Sequence, residues 1–99
     1  MLWVGEMIRS YANAITQEIA KGRMPKGFPP DLARRAVVKL TMIENAVELR
    51  DLRSPPGNRL EALKGDRKGQ HSIRINDQWR LCFLWTETGA ENVEIVDYH

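Results

Sequence analysis

The stretch Gln70–Trp85, QHSIRINDQWRLCFLW, decides the fold. Alternation along it puts Ile73 and Ile75 on one face of a strand. It puts Trp79, Leu81, Phe83 and Trp85 on one face of the next. A three-residue loop, Asn76-Asp77-Gln78, joins the two strands. That loop pairs Ile75 with Trp79 and Ile73 with Leu81, so both apolar sets stay on one side. A slip of one residue would turn one set into water. The same register places Arg74 directly opposite Arg80 on the other face. Like charges opposed in this way are destabilising. An anion between them relieves the repulsion, and phosphate suits, because guanidinium forks match its oxygens in pairs. The competing reading is that carboxylates such as Asp66 or Glu94 neutralise the pair. His71 shares the parity of Ile73 and reads as a packing residue at the edge of the apolar face.

Working outward, Gly65-Asp66-Arg67-Lys68-Gly69 is a turn and Arg59–Lys64 a short strand before it. Glu91–Tyr98 is the last strand, reached through a loop over Thr86–Ala90. Ser54-Pro55-Pro56-Gly57-Asn58 is a rigid turn, and at it the apolar period changes from 3.6 to 2. Upstream, Pro30-Asp31 opens a helix that ends near Leu49–Arg53, with Leu32, Ala36, Leu40, Ile43 and Val47 on one stripe. Residues 22–30, GRMPKGFPP, form a loop. Ala12–Lys21 is a first helix with Ala12, Ile15 and Ile19 inward and Gly22 as its stop. Ile8–Tyr11 reads as a strand. Residues 1–6, MLWVGE, precede a second methionine and read as an N-terminal extension or a short pairing strand. The expected architecture is α+β: two N-terminal helices packed on one face of a small, mainly antiparallel, curved β-sheet.

A chain of 99 residues and 11.4 kDa has room for one domain, spanning residues 1–99. At 42% hydrophobic and 28% charged residues it is too apolar for disorder. The longest apolar run is the five residues Leu81–Trp85, too short for a membrane span or a secretory signal core. The lone Cys82 excludes an internal disulfide, and His71 and His99 are too few for a Cys/His zinc site. A cytoplasmic location, no cofactor and no metal are the defaults. The net charge of +2 is unevenly spread: residues 50–80 carry eight basic and four acidic side chains, residues 81–99 four acids and no Lys or Arg. A basic central block suits a polyanion such as nucleic acid, unless it is only a solvated surface.

The chain ends Ile95-Val96-Asp97-Tyr98-His99. With Val93 and Ile95 inward, Val96 and Tyr98 point outward. An aspartate, a tyrosine and a histidine thus reach one sheet margin, and an imidazole can move protons at neutral pH. A frayed polar tail is the alternative.

Three segments carry a family resemblance: Leu60-Glu61-Ala62-Leu63-Lys64-Gly65-Asp66-Arg67, then Ser72-Ile73-Arg74-Ile75-Asn76-Asp77-Gln78-Trp79-Arg80, then Val96-Asp97-Tyr98-His99. Together they resemble HigB toxins, the RelE-like, ribosome-dependent mRNA endonucleases of bacterial type II toxin–antitoxin systems. The resemblance covers roughly residues 7–99 and is most specific from Pro55 onward. It implies a RelE-like microbial RNase fold. It also implies that Lys64 lies close to the scissile phosphate and that Arg80 steadies that phosphate in the transition state. Asp97, Tyr98 and His99 would orient groups, position a base and transfer a proton. Some members carry a histidine three residues before the lysine; here that position is Glu61, so its role passes to Glu61 or His99. Arg59, Arg67, Lys68 and Arg74 would hold mRNA or ribosomal RNA through salt-sensitive contacts.

The implied partners are the 70S ribosome with its mRNA and a HigA-like helix-turn-helix antitoxin, with operator DNA bound only through the antitoxin and no membrane. Two other readings share this layout. One is a ParE-like toxin that inhibits gyrase without cleaving nucleic acid. The other is a simple nucleic-acid-binding module, in which losses of affinity and cleavage would run in proportion.

Overall fold

The computed structural model describes residues 7–98. The possible extension at residues 1–6 and the terminal His99 lie outside them. Helix α1 spans Ala14–Ala20 and α2 spans Pro30–Asn45. Four strands follow: β1 Glu61–Ala62, β2 His71–Arg74, β3 Trp79–Thr86 and β4 Gly89–Asp97. They form one sheet in the order β1-β2-β3-β4, antiparallel throughout.

The α+β layout and the central register agree with the expectation. Ile73 faces Leu81, Arg74 faces Arg80, and the Ile75 N–H bonds the Trp79 carbonyl at 2.9 Å. Ile73, Ile75, Leu81, Phe83, Val93 and Ile95 form the sheet side of the core. Leu32, Ala36, Leu40 and Ile43 of α2 and Ile19 of α1 form the helix side. Pro30 opens α2, where its missing N–H costs nothing and its φ suits the first turn.

Several boundaries differ from the expectation. Helix α1 begins at Ala14 because the Asn13 side chain accepts the Thr16 N–H at 2.9 Å and caps it. Its inward stripe is Thr16 and Ile19; Ile15 is 49% exposed and Ala12 lies before the helix. Helix α2 stops at Asn45, and Val47, expected on its stripe, is 78% exposed. The Asp51 carboxylate accepts the Val47 and Glu48 N–H groups and starts a separate 3-10 turn over Leu49–Arg53. Those two bonds hold the Asp51 carboxyl below the usual aspartate range.

Strand β1 shrinks to Glu61–Ala62, and Gly65–Arg67 forms a 3-10 turn. The expected loop over Thr86–Ala90 is a tight hairpin in which Thr86 pairs with Gly89. Gly89 has φ +138°, and a Cβ there would come within 2.1 Å of the Met7 carbonyl oxygen. Only glycine lets the N-terminal segment lie so close.

Ile8–Tyr11 is not a regular strand. It touches β4 through two isolated parallel bridges, Ile8 to Ala90 and Tyr11 to Val93. The β3–β4 register shifts between Cys82 and Leu84, where two residues of β4, Asn92 and Val93, oppose Phe83 and Asn92 takes φ 53°. Asparagine tolerates this left-handed backbone better than most residues. Beyond Val93 the free edge of β4 is closed by Thr16, whose buried Oγ1 accepts the Ile95 N–H at 3.0 Å. Thr16→Val keeps the shape and orphans that N–H. It is expected to cost about 1–3 kcal/mol, read as a lower urea midpoint at unchanged slope. A change below about 0.5 kcal/mol would mean that the strand finds another acceptor.

Candidate active site

The face of the sheet away from the helices carries the polar residues. Pairing places Glu61, Ser72, Cys82 and Glu94 in one row across the four strands, and Arg74, Arg80 and Val96 in the next. The Ile75 N–H bonds Trp79, so Arg74 and Arg80 form a non-hydrogen-bonded pair, the closer kind, with Cα atoms about 4.5 Å apart.

Arg80 is the most constrained cation on this face. Its side chain is only 12% exposed. Nε donates to the Ser72 hydroxyl at 2.7 Å, and one terminal nitrogen donates to the Arg59 carbonyl at 2.6 Å. The Glu61 carboxylate stands 3.7 Å from that nitrogen. The guanidinium carbon lies 6.0 Å from the centre of the Tyr98 ring, at the outer limit of a cation–π contact. Arg59, Leu60, Glu61 and Arg80 line an open cleft of about 330 Å3. The left-handed backbone of Arg59, φ 46°, ends the Pro56–Asn58 turn beside that cleft.

Each arginine of the pair has a carboxylate beside it, as in the competing reading, though not Asp66 or Glu94. Arg74 pairs with Asp77 and Arg80 with Glu61. Glu94 is taken by Arg67 at 3.2 Å, and that pair lies over the row containing Cys82. Asp66 makes no ion pair among the described residues. The loop Asn76–Gln78 explains Asp77: its tight turn brings the carboxylate back over Arg74, three residues earlier.

Other expected site residues distribute as follows. Tyr98 is held by its N–H to the Gln78 carbonyl at 2.8 Å and turns its ring toward Arg80. Asp97 accepts from the Gln78 amide at 3.0 Å. Lys64 stands at the exposed start of the Gly65–Arg67 turn, and its ammonium has no hydrogen bond or ion pair among the described residues. Lys68 is exposed at the end of the same turn. His99 lies outside the described residues. The structure therefore joins Arg80, Glu61, Tyr98 and the Arg59 backbone, and leaves Lys64 two residues beyond the end of β1, outside the lining of that cleft. His71 sits at the margin of the core, opposite Phe83, as its parity requires, and its Nδ1 is buried without a partner among the described residues.

Ser72 was not singled out by sequence, yet it orients the Arg80 fork. Its signal was available: a small hydroxyl one row from an arginine across a strand pair. Cys82, fully buried beneath these charges, has its thiol pushed up, first by burial. A thiol held protonated in this way is a poor nucleophile.

The geometry offers a fixed guanidinium with an adjacent carboxylate and a ring, beside an open cleft. Such a group can bind an oxyanion and stabilise charge that develops on it. Among the described residues no group of three or more His, Cys, Asp or Glu could hold a metal ion, and no helix is long and apolar enough to cross a membrane.

Comparison with known proteins shows the family of the chain. The family described as "RelE-like toxin of type II toxin-antitoxin system HigB" matches residues 11–99. "Toxin HigB-1" of Vibrio cholerae is 44% identical over 65 residues, which is 66% of this chain and 68% of that protein. "Endoribonuclease HigB" of Proteus vulgaris is 29% identical over 93 residues, covering 94% of this chain and all of that protein.

Proposed function

Because the chain belongs to the HigB-like family of RelE-like toxins of type II toxin–antitoxin systems, we propose that it is an endoribonuclease that cleaves mRNA on the ribosome and so halts translation. The observation that carries this reading is the Arg80 guanidinium, pinned by Ser72 and the Arg59 carbonyl beside Glu61 and an open cleft. A cation immobilised before substrate arrives does not have to reorganise as charge develops. The name of the full-length Proteus relative, an endoribonuclease, supports the same class of reaction.

RNA brings its own nucleophile. The 2′-OH attacks the adjacent phosphorus, the P–O5′ bond breaks, and a 2′,3′-cyclic phosphate and a 5′-OH result. Three jobs fall to the protein: removing the 2′-OH proton, steadying the phosphorane, and protonating the departing O5′. Arg80 and Lys64 carry the phosphate charge. Glu61, next to Arg80, accepts the 2′-OH proton, and His99 donates one to O5′. Tyr98 stacks a base or steadies it, and Asp97 orients the chain end. Arg59, Arg67, Lys68 and Arg74 hold RNA backbone. The ribosome supplies the in-line geometry of the mRNA, which a small open cleft does not impose alone. The resident partner is an antitoxin of the HigA-like helix-turn-helix kind, which carries any operator DNA binding.

The test is primer extension on a reporter mRNA after induced expression. The full chain should give discrete cuts, and a chain ending at Tyr98 should cut about 10²-fold more slowly, the lower end for loss of one acid–base group. Growth arrest with trapped gyrase–DNA complexes and intact mRNA would replace this reading with the ParE-like one.

A further inference from the structure

A second cationic cleft lies where α2 meets the end of β2. Arg35, Val38 and Lys39 share one face of α2, and with Gly57, Arg74 and Ile75 they line a cavity of about 300 Å3. Lys39 is anchored: its ammonium donates to Oδ1 of Asn58 at 2.6 Å. Asn58 is fully buried and is itself fixed by donating to the Leu52 and Ser54 carbonyls. The charge in this cleft is poorly compensated. Among the described residues Arg35 has no ion-pair partner, and the only carboxylate on the three cations is Asp77, paired with Arg74 and 98% exposed. So exposed a pair contributes little and is readily displaced. The Lys39 ammonium is pushed below the usual lysine range by burial first, then by Arg35 and Arg74. Three converging cations are therefore held together at a cost that an anion would remove.

We propose that Arg35, Lys39 and Arg74 form a second phosphate site, which takes an RNA phosphodiester flanking the one held at Arg80. This rests on the reading of Arg80 as the group that holds the scissile phosphate. Continuity favours RNA over an acidic protein segment. Arg74 is the cross-strand neighbour of Arg80, so one residue belongs to the cleft and borders the cleavage site. A chain with one negative charge per nucleotide can pass through both. The backbone near Gly57 is open, with no atom within 4 Å of where a Cβ would stand, which leaves room for a sugar–phosphate strand.

The experiment measures binding of a labelled 2′-O-methyl octaribonucleotide, which cannot be cleaved, to the full chain between about 50 and 200 mM salt. Each lost phosphate contact lowers the slope of log K against log salt by about 0.7 for a single strand. The double variant Arg35→Gln/Arg74→Gln, which removes this one phosphate contact, should lose about 0.7 in slope and bind roughly tenfold more weakly at low salt. Lys39 variants can disturb Asn58, so Arg35→Glu, an exposed position on α2, tests the site without risk to the fold and should weaken binding at least as much as a neutral change there. Parental slope and affinity in Arg35→Glu and in the double variant would overturn the proposal. So would an octaglutamate peptide that binds the parent as tightly as the RNA and is lost in the same variants. Loss of RNA binding in these variants, from a protein that leaves ribosomal mRNA uncut, would support the phosphate site and sink only the nuclease reading.

Discussion

Arg80→Ala is expected to slow cleavage of ribosome-bound mRNA by about 10²–10³-fold, the loss typical when one preorganised donor is removed from an oxyanion site. The side chain is only 12% exposed, and two of its nitrogens are held before RNA arrives. Alanine removes both the charge and the fixed direction of the fork. Arg80→Lys separates the two: it restores charge but cannot reproduce a planar fork between Ser72 and the Arg59 carbonyl. It should recover only a small part of the rate. The measurement is single-turnover primer extension beside ribosome co-sedimentation. Cleavage should collapse while sedimentation persists. Cleavage of Arg80→Ala within about threefold of the parent, or a parallel loss of ribosome binding, would remove Arg80 from the chemistry. A thermal melt of each variant guards against a trivial cause, since the Ser72 hydroxyl and the Arg59 carbonyl each lose a partner.

Phe83→Ala should bring the largest loss of stability, about 3–5 kcal/mol, from lost transfer energy plus an unfilled cavity. Phe83 is completely buried at the centre of β3 and meets Trp85 edge to face, with ring centres 6.4 Å apart. It lies beneath the strand that carries Arg80 on its opposite side. A small domain has only about 5–15 kcal/mol of total stability, so this one change consumes a large share. At roughly 4–8 °C per kcal/mol for this size, the melting temperature should fall by at least about 12 °C, followed by tryptophan fluorescence. A fall under about 5 °C would show that the helices close over the gap.

The alternation of Ile73 and Ile75 with Leu81 and Phe83 was sufficient to set the central register, and with it the opposition of Arg74 and Arg80. Period-2 burial leaves no second solution, because any slip exposes half the core. The helix faces were less legible. The outcome at Ile15 and Val47 turned on capping bonds from Asn13 and Asp51, which shift or stop a helix by a residue or two without disturbing the apolar pattern. The connection expected over Thr86–Ala90 is shorter, with Thr86 paired to Gly89, and the need for glycine there comes in part from the Met7 carbonyl, a neighbour far away in sequence.

The candidate site divides in the same way. Arg80 and Tyr98 share a face by strand parity alone. Which carboxylate answers each arginine was not decided by parity. The competing reading offered Asp66 or Glu94, and Asp77 and Glu61 take the places. Ser72 and Cys82 alternate outward and so read as wet, yet both are fully buried, one under the Arg80 stem and the other beneath the Arg67–Glu94 pair.

Sequence by itself determined the layers, the strand order and the pairing at the heart of the sheet, because burying apolar side chains is a local, periodic demand. Only the tertiary structure decided how the charged face is wired and where Lys39 finds Asn58. Long cationic side chains choose among partners that the folded chain brings close, and that choice leaves no period in the sequence.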